Sequence, residues 1–436
     1  MADGGSRGSW PWRFAVATVV VGVLAGLAGT GLALLLHTVQ HLAYGYTEGS
    51  FLSGVVAAAP ARRVAAMAVG GIVAGTGWWA LYRFGRPLVG VEEAVAARRP
   101  RMPALSTTWH ALLQIVTVGL GSPLGRETAP RQLAALFATA VCRHPGLTAG
   151  QRRVLVASAA GGGLAAVYDV PLGGTVFTLE VLLGTWAVGA LVPAAAVAAL
   201  ATVISWMALP DEPAFHLTRL TVGASLVVWS AVAGPLIGLC AHLFARACAR
   251  AGRRAPRDRM LLLTAPAAFV LVGLLSVPYP QLLGNGKGPA EVAFATQPAL
   301  GLTAVLLALR TLVVLLTLRA GARGGLLTPS VANGALLGVL AGGAWALVWP
   351  GTTLAAHAVV GGAAFLAAAE RIPLTAVVLM LEFTDAPRTL VVPMLFATVG
   401  AVAVERLCAA RPARAHRRDR PPPGGTPAPQ PPPPAR

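Results

Sequence analysis

The feature that most constrains this chain is the recurrence of apolar stretches as long as a bilayer is thick. The run from Phe14 to Leu36 contains no charged residue, and Thr221–Phe244, Leu300–Leu318 and the shorter Leu390–Val404 continue the pattern. A helix that crosses the hydrocarbon core needs about 20 such residues. Charge is too sparse for a water-facing surface: 11% of residues are charged, against about 25% in a soluble domain. The first apolar run follows Arg7 and Arg13, but it exceeds the roughly 7–15 residues of a cleavable signal core, so a retained span is expected.

The formal net charge of +18 invites a nucleic-acid reading, which the placement of the arginines argues against. They cluster at Arg62–Arg63, Arg98–Arg101, Arg246–Arg259 and Arg411–Arg420, between or beyond the apolar runs, and Lys287 is the one lysine. Basic loops between spans are the pattern of cytoplasmic segments. A multi-pass protein of the cell membrane follows, with both termini cytoplasmic, membrane lipid around it and no nucleic-acid partner. The four cysteines, Cys142, Cys240, Cys248 and Cys408, have no metal-ligand spacing. No Gly-x-Ser-x-Gly, His-Glu-x-x-His or Walker sequence occurs, so no enzyme, metal or cofactor is expected. Gly284-Asn-Gly-Lys-Gly288 lacks the spacing of a phosphate loop and reads as a helix break.

The spans are irregular. Glycine clusters at Gly121–Gly125, Gly161–Gly163, Gly173–Gly174, Gly284–Gly288 and Gly321–Gly325 read as breaks that leave half-length helices. Broken helices at membrane depth must be shielded by protein or line a watery cavity. A self-comparison pairs Asp169–Glu180 with Arg371–Glu382, with five of twelve positions identical and an offset of 202 from Pro171 to Pro373. Gly125–Pro130 pairs with Gly324–Pro329 at an offset of 199. The chain is therefore read as an N-terminal segment 1–9, membrane repeats 10–210 and 221–410, and a basic, proline-rich tail 411–436 without the composition to build a core. Duplication with paired breaks is the sequence pointer to a transport site between repeats; whether they are parallel or inverted stays open at this point.

Glu127 stands out. It sits in a Gly-Arg-Glu-Thr-Ala-Pro turn that opens an apolar helix, where an ionisable residue is expensive and usually functional. The turn also offers backbone N–H groups at the positive end of a helix, a place for an anion or for the carboxylate itself. The structural alternative is that Glu127 caps its helix and pairs with Arg126. Gly324–Pro329, the counterpart, carries no charge and would contribute N–H groups alone. Glu180 and Glu382, at equivalent positions, are read as structural partners or caps. Arg310, inside a span, is expected to pair with a carboxylate or to raise the local positive potential.

These segments resemble the CLC family of chloride channels and chloride/proton exchangers. Gly125-Arg126-Glu127 matches the start of that family's GREGP signature, Gly324–Pro329 looks like its GGIFAP segment, Tyr168–Glu180 resembles its N-A-P-L-A-G helix, and Arg371–Asp385 its R-A-P-L-T-G segment; the resemblance covers roughly residues 10–415. It implies an all-α polytopic membrane protein of two inverted repeats of tilted, partly half-length helices, assembled as a homodimer with one pore per subunit. By position it implies that Glu127 is the gate and that Val89, Gly90, Arg126, Thr128, Gly325, Leu326 and Leu327 surround the path of chloride or another small anion, with protons as a further partner. The departures are specific. Leu88–Val91 lacks the family's serine, Leu327 replaces its pore phenylalanine, and its pore tyrosine falls at Arg414. Val181 stands where exchangers carry an internal proton glutamate, as in channel members. Channel and weakly proton-coupled exchanger both stay open, and so does a degenerate, non-transporting scaffold or sensor.

Overall fold

The computed structural model describes residues 12–143, 146–210, 213–217, 220–295 and 299–418, with backbone alone at 295 and 411–418. The N-terminal segment 1–9 and residues 419–436 of the tail lie outside the described residues. Lipid gives backbone N–H and C=O groups no water, so each spanning segment must satisfy them internally, as helices do. Among the described residues helices are accordingly the regular elements. The first half holds α1 (Trp12–Tyr44), α2 (Phe51–Ala57), α3 (Pro60–Phe84), α4 (Val91–Ala96), α5 (Ala104–Gly119), α6 (Thr128–Val141), α7 (Ala149–Tyr168), α8 (Pro171–Phe177) with a π-turn over Thr178–Leu183, and α9 (Val188–Trp206). The second holds α10 (Ala224–Arg253), α11 (Leu261–Leu275), α12 (Lys287–Ala295), α13 (Leu300–Arg319), α14 (Leu327–Trp345), α15 (Leu354–Glu370), α16 (Pro373–Thr384) and α17 (Val391–Arg418). Helix α17 thus carries helical backbone into the residues read as tail.

Seven helical segments among the described residues are long and apolar enough to cross a membrane, among them Trp12–Tyr44, Ala224–Arg253 and Leu327–Trp345. Others are too short: the 14 residues of α6 reach only about 21 Å. Large apolar side chains line the outer faces of the long helices, such as Val16, Leu27 and Leu34 on α1 and Val232, Leu236 and Leu243 on α10. A helix that turns leucine and valine outward in this number is solvated by lipid. The chain is a multi-pass membrane protein.

The duplication is visible in backbone geometry. Gly121 and Gly321 share φ values of 108° and 104°, and Asp169 and Arg371 share the left-handed region at 56° and 60°. The helix ends before the glycines close with matching bonds, Ser122 N–H to Thr117 O at 3.0 Å and Ala322 N–H to Thr317 O at 3.2 Å. Two reciprocal contacts then tie the halves together. Gly125 and Gly325 form an isolated antiparallel bridge, each donating its N–H to the other's carbonyl at 2.8 and 2.9 Å. Glu180 accepts from the Leu374 and Thr375 amides at 3.0 and 2.7 Å, and Glu382 accepts from the Leu172 and Gly173 amides at 2.9 and 2.6 Å. Contacts in which i meets j and j meets i mark a two-fold relation between the repeats, the relation that inverted repeats require. The bridge also moves the register of the turns to 200 residues, from Gly125 to Gly325, one more than the Pro130–Pro329 alignment suggested.

Two of the expected breaks are not breaks. Helix α7 runs unbroken through Gly161–Gly163, and Gly173–Gly174 lie inside α8. These glycines permit close packing: a Cβ on Gly161 would meet Gly174 and Thr178, one on Gly163 would meet Pro130, and one on Gly162 would meet Val197. Small residues let membrane helices approach at backbone distance, and α10 uses Gly234 and Gly238 the same way against Ala397 and Ala401 of α17. The break between α7 and α8 falls instead at Asp169–Val170. Helices α7 and α15 are the most enclosed of the equivalent helices, with every residue of Leu155–Tyr168 and Ala355–Ala368 buried.

Candidate functional site

The site grows from the Gly125–Gly325 bridge. Both glycines face the Glu127 carboxylate so closely that a Cβ on either would collide with it, which is why neither turn can carry a side chain there. Glu127 is 1% exposed. Its side chain makes no capping bond to its own helix. It crosses to the other repeat instead, where Oε1 accepts the Leu327 N–H at 2.7 Å. Leu327 opens α14, and the first amides of a helix lack intrahelical acceptors; a carboxylate or another anion is their natural partner. On the other side Oε2 accepts the Tyr168 hydroxyl at 3.3 Å, and Tyr168 Oη lies 2.9 Å from Thr328 Oγ1.

Arg126 does not pair with Glu127. Its guanidinium lies over the Tyr168 ring, 4.7 Å from the centroid, and donates to Val167 O at 3.3 Å. The alternative of a capping glutamate paired with its neighbour is therefore not what the side chains do. Arg131, one turn into α6, donates to Glu127 O at 3.1 Å and to Thr128 Oγ1 at 3.3 Å, and so steadies the turn through its backbone.

Three cavities meet this centre. The largest, about 750 Å³, is lined by Tyr168, Thr328 and Arg126, which adjoin Glu127, and also by His37, His216 and Lys287. A cavity of about 70 Å³ is lined by Gly90, Thr128, Arg131 and Gln132. A third, of about 210 Å³, is lined by Gly324, Leu326 and Glu370. Glu370 lies within electrostatic reach of Arg131 and Glu127.

Of the expected path residues, Glu127, Gly325 and Leu327 come together in direct contact. Arg126 and Gly90 with Thr128 face cavities on either side, and Leu326 faces the third. Val89, half-buried just before Gly90, packs on the core without reaching the carboxylate. The Arg414 side chain, where the family's tyrosine was expected, lies outside the described residues.

Arg310 corrects its expectation of a carboxylate partner. It is fully buried and donates to three backbone carbonyls, Leu282 at 3.1 Å, Gly284 at 2.8 Å and Pro123 at 2.7 Å. Those carbonyls belong to the breaks before α12 and α6, whose acceptors have no water to turn to.

Sequence reasoning missed Tyr168 and Thr328, and it missed a buried group in which His110 Nδ1 lies 2.9 Å from Gln132 Oε1 and 2.8 Å from Gln114 Nε2. One signal was available. Tyr168 and Glu370 are equivalent at the 202-residue offset, each the last residue of its helix before a left-handed cap, and both are polar at positions otherwise surrounded by alanine and valine.

The family model described as Voltage gated chloride channel matches residues 70–406. The chain is 28% identical over 396 residues to the voltage-gated ClC-type chloride channel ClcB of Citrobacter koseri, covering 87% of this chain and 92% of that one. It is 29% identical over 387 residues to the ClcB of an Escherichia coli strain, covering 85% and 90%. In fold it is similar to a slow cyanobacterial Cl−/H+ antiporter, with a TM-score of 0.80 at 21% identity over 94% of this chain and 99% of that one. It is also similar to a CLC-type fluoride/proton antiporter, with a TM-score of 0.64 at 19% identity over 90% and 95%. The four motifs, the inverted repeats and the match over most of the length agree: the chain belongs to the CLC family of voltage gated chloride channels.

Proposed function

We propose that the protein carries chloride, or another small anion, across the cell membrane along a path between the two glycine turns, with Glu127 as the gate. The observation that supports this most directly is the 2.7 Å bond from Leu327 N–H to Glu127 Oε1. A buried carboxylate held by the free amide of the opposite repeat occupies an anion's place. Protonation removes the charge that holds it there, and a competing anion can displace it. The path then runs from the 750 Å³ vestibule past Glu127 to Gly90 and Thr128. No metal or lysine is required at its centre.

The protein works as a homodimer with one path in each subunit and with both termini in the cytoplasm, as the arginine-rich loops suggest. Proton coupling has a specific candidate despite Val181, because Glu370 borders the Gly324–Leu326 cavity within electrostatic reach of the gate. The experiment is flux from liposomes with anion and proton movement read together. Wild-type flux rises as pH falls. Losing one charge-assisted hydrogen bond to the gate shifts its equilibrium by roughly ten- to hundredfold, so Glu127→Gln and Glu127→Ala raise flux by that order and flatten its pH dependence. Unaltered flux and pH response in both variants sink the gate. A folded wild type that passes neither chloride, bromide, nitrate nor fluoride turns the reading to a scaffold or sensor.

A further inference from the structure

A carboxylate seated in an anion site reveals that site's donors, because its oxygens call for the same N–H and O–H partners that a halide would. One donor to Glu127 is the Leu327 amide. The other is a side chain, the Tyr168 hydroxyl at 3.3 Å from Oε2. Thr328 Oγ1 stands 2.9 Å from Tyr168 Oη. A phenol proton given to the carboxylate leaves the phenol oxygen as acceptor for the threonine hydroxyl, so the bonds run Thr328 to Tyr168 to Glu127. Bonds in series polarise one another and strengthen the terminal donor. The ring is fixed by Arg126 on its face and by Phe383, whose ring centroid is 5.2 Å away. Both hydroxyl residues are buried in the protein and line the large vestibule.

The two hydroxyls come from opposite repeats, Tyr168 from the end of α7 and Thr328 from the start of α14. Neither repeat alone makes the pair. They stand in a chain whose path lacks the serine, phenylalanine and tyrosine of the family pattern at the aligned positions.

We propose that Tyr168 and Thr328 are a side-chain anion ligand at the vestibule end of the path. When Glu127 withdraws, the Tyr168 O–H turns its proton to the transported anion while Thr328 supports it from behind. The ligand class is a small monovalent anion. A directed O–H donor repays more of the dehydration of a compact, strongly hydrated ion than of a diffuse one, so the pair favours fluoride and chloride over nitrate. This rests on the reading of Glu127 as gate.

The test measures chloride and nitrate flux from liposomes for Tyr168→Phe and Thr328→Val, alone and in the Glu127→Gln background. Chloride binding to the same purified proteins is read by calorimetry. Tyr168→Phe keeps the ring and its stacking but removes one neutral donor, and the chloride-to-nitrate ratio falls by roughly two- to tenfold. Thr328→Val moves it the same way by less. In Glu127→Gln the loss of Tyr168 weakens chloride binding by a similar factor. A merely structural tyrosine would lower thermal stability without changing the ratio, and an unchanged ratio together with unchanged chloride affinity overturns the proposal. If Tyr168→Phe does not fold, Thr328→Val decides by the same two readouts. Failure of the gate reading shows separately, as pH dependence that persists in Glu127→Gln alone.

Discussion

At Gly125 the chain turns into α6, and at Gly325 it turns into α14. The two turns hydrogen-bond to each other as equals, yet one continues with Glu127 and the other with Leu327. The same contrast recurs at two further pairs of equivalent positions. His110 on α5 matches Arg310 on α13 at the 200-residue offset, and the first binds glutamine side chains while the second binds backbone carbonyls. Tyr168 matches Glu370, and they face different cavities. Backbone geometry has been held in both halves because it builds the fold: the positive-φ glycines, the left-handed caps and the reciprocal bonds. Side chains at the centre have diverged because a path needs different chemistry at its two ends. Symmetry makes the frame, and its violation sets Glu127, the proposed gate, against Leu327.

The sharpest way to break that comparison is at the equivalent buried residues Arg310 and His110. Arg310→Met leaves three carbonyl acceptors without a donor in a place that water does not reach. The expected loss is on the order of 3–5 kcal/mol, read as a large fall in the thermal unfolding temperature of the detergent-purified protein. His110→Leu should cost only about 1–2 kcal/mol, because Gln114 and Gln132 remain free to bond each other, as they do at 3.3 Å. Equal losses would mean that the two halves use their buried polar residues alike.

A second, smaller difference concerns the reciprocal glutamates. Each replaces the missing acceptors at the start of the other repeat's helix, where Pro171 and Pro373 occupy the first position and the next two amides are free. Glu382→Ala and Glu180→Ala should each destabilise the protein by about 1–3 kcal/mol. The pair is not perfectly matched, since Glu180 also accepts the Thr375 hydroxyl at 2.6 Å while Gly173 stands at the equivalent position. Glu180→Ala should therefore cost about 1 kcal/mol more than Glu382→Ala, and Thr375→Gly should cancel the excess. Unfolding curves of the three variants check this, and an unfolding profile indifferent to all of them would mean that the caps are satisfied in some other way.

What could be read from sequence divides along the same line. The duplicated frame was legible because it uses glycine, proline and glutamate in patterns that repeat, and Glu127 was legible because a charge among apolar residues stands out. The false breaks at Gly161–Gly163 and Gly173–Gly174 came from glycine's two uses, since the residue that permits a turn also permits contact between helices, and only the neighbours decide. Arg310's partners left no mark because backbone carbonyls exist at every position. Tyr168 was hidden for a related reason: a tyrosine at the end of a buried helix looks like any core aromatic until its hydroxyl is placed against a residue of the other repeat, 160 positions away.

The mildest test lies at the mouth of the path. Helices α4 and α12 hold matching places in the two repeats, each short and each entered through a glycine, Gly90 and Gly286. Helix α4 begins with Glu92 and Glu93, and Glu92 borders the 70 Å³ cavity; α12 begins with Lys287, which borders the 750 Å³ vestibule. A positive charge in a cleft with low-dielectric walls concentrates anions there, so Lys287→Gln should slow chloride flux. The effect is limited because Lys287 lies 3.7 Å from Glu291, and part of its field is already spent on that carboxylate. A loss of about two- to threefold is expected at low ionic strength, fading toward none near 1 M salt as screening shortens to about 3 Å. The anion ratio and the pH dependence should not move, because the lysine concentrates anions without touching the gate or the Tyr168 hydroxyl. If flux falls equally at high salt, or if selectivity changes with it, Lys287 binds the anion directly and the division between a steering vestibule and a selecting centre does not hold.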